Sequence, residues 1–341
     1  MENKRVPEKI WKVIKDNPIV VLLVIVCIIV GFTIDNFFSF RNLNSLISNT
    51  TVRFLIALGV SGCLITKGTD LSAGRAVGLC ACLAGTLLQD PTYTGRMYNW
   101  PEFNLLVAFL TVVAVGAAFG LVNGLIISKL NVPPFIATLG TQTIVYGICL
   151  VFTNAQPIGN FKGSYKNFVN GTWLKGIFTV GGEDFPGIPY LLAWAVVFGM
   201  LFWFIYNKTT HGKYMYAIGG NENAAEVSGV NTARTKILIY VTAGVMYAIA
   251  GYLLAPKGGG ASSGSGMGYE LEAIAGCTIG GVSTTGGIGT VGGVLVGVLV
   301  FELLKIVLQF LGVNPYYNYI VQGLVIVTAV AMDIRKYVAK K

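Results

Sequence analysis

Long apolar runs separated by short polar breaks dominate this chain. Runs near 20 residues cross a bilayer as helices. The pattern predicts ten spans: Ile19–Ile34, Leu43–Thr66, Leu71–Leu88, Phe103–Ile127, Val132–Phe152, Tyr190–Tyr206, Ile237–Leu254, Leu271–Thr284, Thr290–Leu311 and Tyr316–Met332. The third and eighth are the weakest, being short, punctuated by small residues and begun beside an acid. The expected class is an all-α polytopic membrane protein. Residues 1–18 form a basic segment in which Ile10, Trp11 and Ile14 alternate with Lys9, Lys12 and Lys15. That pattern suits a helix lying on the membrane surface. Residues 19–333 read as one transmembrane domain, and 334–341 as a basic tail.

Composition agrees. Apolar residues make up 54% and charged residues 11%, against roughly 25% charged in a soluble domain. Mean hydropathy is +0.68. The net charge of +9 does not indicate nucleic acid, because the basic residues cluster at the two ends of the chain. With both termini on the cytoplasmic side, the inner loops and tails hold 16 of the 24 Lys and Arg residues and the outer loops six. This asymmetry sets the expected orientation. Arg53 and Lys305 fall inside spans. Glu302 and Lys305 sit three apart and can pair on one helix face.

Two glycine ladders hint at an internal duplication. Gly116, Gly120 and Gly124 repeat every four residues, as do Gly289, Gly293 and Gly297. Small residues at this spacing let helix backbones approach closely. The two ladders run in opposite directions in the expected topology. They predict inverted halves, spans two to five onto seven to ten.

The chemistry-bearing positions are few. The six cysteines lie in apolar runs without a CxxC pair, and the single histidine, His211, lies in the central polar segment, so no metal site is expected. The GxxxxGK[ST] phosphate loop is absent. Gly258–Gly268 is expected to be a flexible outer loop. Asp70 lies between glycines at the end of an apolar run, where an acid must be satisfied. It can cap the third span, contact a substrate or mark a hinge, with Ser72 nearby and Arg75 a potential partner. Asn123, Thr138, Thr141, Glu270 and Ser283 complete the candidate translocation pathway or gate. The segment Asn207–Lys236 is the longest inner loop. In it Asn221 can start a short helix over Glu222–Ser228, and Gly229 can end it. Ala224 and Ala225 would give that helix a small, flat face for docking.

The ordered motifs identify a family. Gly68-Thr69-Asp70-Leu71-Ser72-Ala73-Gly74-Arg75 comes first. Pro134-Phe135-Ile136-Ala137-Thr138-Leu139-Gly140-Thr141 follows Asn123-Gly124. Tyr216–Asn231, Tyr269-Glu270-Leu271-Glu272 and Gly286-Gly287-Ile288-Gly289 come after. Together they resemble the ribose/galactoside branch of bacterial ABC sugar-importer permeases, its galactose/methyl-galactoside subgroup above all. The resemblance implies an inverted-repeat, vitamin-B12-importer-like (type II) fold of about ten helices in the bacterial cytoplasmic membrane. It implies a homodimer, a separate ATPase that binds ATP and Mg, and an external sugar-binding protein. No cofactor is expected on this chain. Gly219, Asn221, Glu222, Ala224, Ala225, Glu226 and Gly229 would form the ATPase-coupling segment. An ion-coupled secondary sugar transporter is the alternative reading.

Overall fold

The computed structural model describes residues 25, 28–34, 37–180, 183–314 and 316–338. The expected surface helix within 1–18, half of the first span and the last residues of the basic tail lie outside the described residues. The helices in chain order are α1 (Phe40–Ile65), α2 (Ala73–Leu87), α3 (Leu105–Lys129), α4 (Pro134–Thr153), α5 (Gly163–Asn170), α6 (Leu191–Lys208), α7 (Thr210–Gly220), α8 (Glu222–Val227), α9 (Thr232–Lys257), α10 (Tyr269–Ile279), α11 (Val291–Phe310) and α12 (Tyr317–Val338). Between α5 and α6, β1 (Thr172–Trp173) pairs antiparallel with β4 (Ile188–Pro189). Inside that pair, β2 (Thr179–Val180) pairs with β3 (Glu183–Asp184). The fold is therefore mostly helical, with two short hairpin-like pairs in one loop region.

Seven helices among the described residues are long and apolar enough to cross a membrane: α1, α3, α4, α6, α9, α11 and α12. The runs expected to be the third and eighth spans form only α2 and α10. With 15 and 11 residues, they reach about 22 and 16 Å at 1.5 Å per residue. Neither is long enough to span a hydrocarbon core of about 30 Å as a helix alone. Non-helical segments, residues 66–72 before α2 and 280–290 after α10, flank the two short helices.

Two central helices organise the rest. α1 and α9 are mostly buried, while most residues of α3, α4, α6 and α12 are at least partly exposed. The outward side chains include Leu106, Leu110, Ile136, Ile144, Val197 and Met200. A helix apolar on every side belongs in a core or in lipid, and lipid is what this outer layer is built to face. α9 packs on α3, α2 and α1, and α1 packs in addition on α10 and α11.

The glycine ladders make intimate contacts, but not equivalent ones. Gly116, Gly120 and Gly124 of α3 lie against the backbone of Gly244, Tyr240 and Ile237 on α9. Gly293 and Gly297 of α11 lie against Gly280 and Gly276, at and just after α10, while Gly289 meets Ile65. The shared spacing thus reflects close backbone approach in both places rather than one repeated contact.

The expectation of a flexible loop at Gly258–Gly268 is corrected. Ala261 forms a β-bridge with Ile158. The backbone of Ser265 and Gly266 lies so close to Gly78 and Gly74 that a Cβ on either glycine would collide with it. The loop folds inward onto α2 because α2 presents no side chains there.

Loops sort to two ends of the bundle. Lys67, Gly220 and Gly287 meet at one, which we term the Lys67 end. Residues 89, 158, 161, 162 and 261 meet at the other, the Lys162 end.

Candidate functional site

Three polar assemblies stand out. The first gathers four of the expected pathway residues into one buried knot. Asp70 Oδ1 accepts from the Ser72 amide at 2.9 Å and from the Ser72 hydroxyl at 2.5 Å. Tyr247 of α9 donates to Asp70 Oδ2 at 3.0 Å. Asn123 of α3 donates to Ser72 Oγ at 2.9 Å. Thr138 of α4 accepts from the Leu71 amide and donates to the Thr69 carbonyl, both at 3.1 Å. Asp70, Ser72, Asn123 and Thr138 are all fully buried. The knot ties the non-helical lead-in to α2 to three neighbouring helices.

The expected Asp70–Arg75 pair does not form. Arg75 donates to the Ser263 carbonyl at 3.1 Å, and its guanidinium lies 4.1 Å from the centre of the Tyr146 ring. The inward fold of the 258–268 loop supplies the first partner, and α4 supplies the second. Thr141 is buried and donates to the Thr138 carbonyl of its own helix. Glu270 is buried against Gly74, and its Oε2 has no protein partner. Ser283 lies at the Lys67 end. Its hydroxyl donates to Asp333 of α12, which also accepts from the Thr284 amide at 2.9 Å. Asp333 was not singled out in the sequence, because a lone acid near a helix end reads as a surface charge.

The second assembly is the 207–236 segment. Asn221 Oδ1 accepts from the Ala224 amide at 3.1 Å and caps α8 as expected. Gly229 has φ +86°. Its amide bonds to Glu226 O, and the Val230 amide bonds to Ala225 O, which together make a Schellman C-cap. Lys236 Nζ lies 2.5 Å from Glu222 Oε1. α7 is wedged against the bundle. Gly219 abuts the Ile65 carbonyl and Gly287, Lys67 Nζ reaches Gly220 O, and the Tyr216 hydroxyl donates to Gly289 O at 2.8 Å. Burial holds the His211 imidazole below its ordinary range. The expectation for the flat face needs correction. Ala225 is turned inward and buried, whereas Asn223, Ala224, Glu226 and Val227 face out, Val227 with 90% of its surface free.

The third assembly is a ring of charges. Arg53 of α1 lies 2.6 Å from both Glu272 of α10 and Glu302 of α11. Lys305 lies 2.6 Å from Glu272 and 3.5 Å from Glu302. The expected Glu302–Lys305 pair is therefore present but is the longest side of the ring. Arg53 and Glu272 are 219 positions apart, so no pattern along one helix could join them. Among the described residues, no group of three or more His, Cys, Asp or Glu is placed to hold a metal ion.

Comparison with known proteins places this architecture. The family described as branched-chain amino acid transport system / permease component matches residues 42–330. The chain is 43% identical to the galactose/methyl galactoside import permease protein of Haemophilus influenzae over 336 residues, covering 98% of each chain. It is 44% identical to the protein of that name from Salmonella typhimurium over 332 residues, 96% of each. The ribose import permease protein of Escherichia coli K12 is 33% identical over 339 residues, 98% of each. No solved structure matches the chain.

Proposed function

The chain belongs to the branched-chain amino acid transport system / permease component family, and we propose that it is the membrane subunit of an ATP-driven importer for a galactose-type monosaccharide. One observation carries this reading. Identity of 43–44% to galactose/methyl galactoside permeases runs through nearly the whole chain, and falls to 33% for a ribose permease. The cargo is galactose or a methyl galactoside, delivered by an external binding protein. A separate ATPase binds ATP and Mg and supplies the energy.

The 207–236 segment is the coupling element. Its outward residues, Asn223, Ala224, Glu226 and Val227, dock the ATPase, while Gly219, Asn221, Glu222, Ala225 and Gly229 hold the segment in shape. Because α7 bears on Ile65 and Gly287, a push on α8 reaches the end of α1 and the loop between α10 and α11. The Lys67 end then faces the cytoplasm, with both termini. The Asp70 knot and Ser283 act as anchors around which these ends move.

The packing of α1 on α10 and α11, and of α9 on α2 and α3, supports two inverted halves with exchanged first helices. That arrangement agrees with a type II importer of ten helical segments, α2 and α10 being the partial ones, in a bacterial cytoplasmic membrane. Two copies then enclose the pathway on their two-fold axis.

The test is complementation. In a bacterium lacking its galactoside permease but keeping the matching ATPase and binding protein, this chain restores uptake of labelled methyl galactoside. Absence of uptake from cells with normal membrane levels of the assembled complex overturns the reading.

A further inference from the structure

Beside the charge ring lies a chamber of about 570 Å³, lined by Arg53, Glu302 and Lys305 and by the amides of Asn49, Gln309, Asn314 and Asn318 among others. Its volume falls within the roughly 300–1,000 Å³ of small-molecule pockets. We propose that this chamber is a transit site for the neutral sugar, with the charge ring as its floor. This rests on the functional reading above and names where on this chain the cargo is held.

Three features point to a neutral polyol. The ring alternates in sign, Arg53–Glu272–Lys305–Glu302, and sums to zero. It offers strong hydrogen-bonding groups whose own charges balance. Its cations are also pinned over aromatic rings, Arg53 at 4.8 Å from the centre of Tyr269 and Lys305 at 5.2 Å from that of Phe301. The amides above it each carry donor and acceptor, as a sugar hydroxyl does. Asn318 Oδ1 is buried without a partner, so one acceptor stands ready.

A route reaches the site. Asn49 lines this chamber and a second one of about 360 Å³, which Arg41, Asn44, Ser45, Ser48 and Lys257 also line. Lys257 donates to Asn49 Oδ1 at 2.5 Å. The polar first half of α1 thus forms a track from the Lys162 end down to the ring. The buried Asp70 knot lines neither chamber.

The test uses the permease assembled with its ATPase and binding protein in proteoliposomes. The Gln309→Leu/Asn318→Leu variant removes two amides from the wall and leaves the ion pairs in place. Loss of these hydrogen-bonding partners should lower galactose uptake at least tenfold, while ATP hydrolysis stimulated by the loaded binding protein stays within twofold of wild type. As a second measure, Asn318→Cys should react with a small water-soluble thiol reagent faster than the wild-type background, and a bulky adduct there should stop uptake without stopping ATP hydrolysis. Uptake at the wild-type rate in the double variant, or in the adduct, overturns the site. A variant that no longer assembles leaves the decision to the adduct, which is formed on the assembled complex. If the wild-type complex itself carries no monosaccharide, the functional reading falls instead, and the sugar assignment with it.

Discussion

Asp70 shows what a single buried acid demands of its surroundings. Its two oxygens accept three hydrogen bonds, from the Ser72 amide, the Ser72 hydroxyl and Tyr247. Replacing Tyr247 with Phe keeps the ring's packing and removes one donor. A buried acceptor left unpaired costs about 1–3 kcal/mol. The Tyr247→Phe protein should therefore unfold in detergent at a lower temperature than wild type, and an unchanged midpoint would contradict the role given to the knot. The need for partners was legible at Asp70, because an acid between glycines in an apolar chain has to be satisfied. The partners themselves were not. Asn123 meets Ser72 across 51 positions and Tyr247 meets Asp70 across 177. Arg75, the basic residue that closes the same motif, was the natural guess, but its side chain leaves Asp70 for Ser263 and Tyr146.

Helices and loops were read best where local rules govern them. The α8 caps followed from Asn221 and Gly229, since capping depends on neighbours within a turn. The side that α8 presents did not follow, because six residues give too short a pattern to fix a face, and Ala225 points inward. Two outcomes are expected from this element. Gly229→Val places a branched side chain at φ +86°, a region that non-glycine residues avoid. It should loosen the segment, measured as faster proteolysis between residues 221 and 236. Val227→Asp changes only an outward side chain. It should leave the fold intact yet reduce co-purification with the ATPase several-fold, and normal co-purification would remove α8 from the docking surface. The glycine-rich 258–268 loop illustrates the opposite limit. Its composition reads as flexible, but its order comes from Gly74 and Gly78 on a distant helix, which composition cannot register.

At the scale of the whole molecule, two buried helices are wrapped by an apolar layer, with a charge ring on one flank and a capped polar segment at one end. Seven spans were legible from hydropathy alone. The shortness of α2 and α10 was visible as weakness in their apolar runs, although their lengths of 15 and 11 residues emerged only from the structure. In the proposed importer, energy reaches the bundle from a separate ATPase through the 207–236 segment. The most direct test is sugar uptake by proteoliposomes holding this permease, its ATPase and the external binding protein. We expect galactose to accumulate only when ATP is supplied on the ATPase side and the binding protein on the other, with no effect of an imposed ion gradient. Uptake driven by an ion gradient in the absence of ATP would contradict the account.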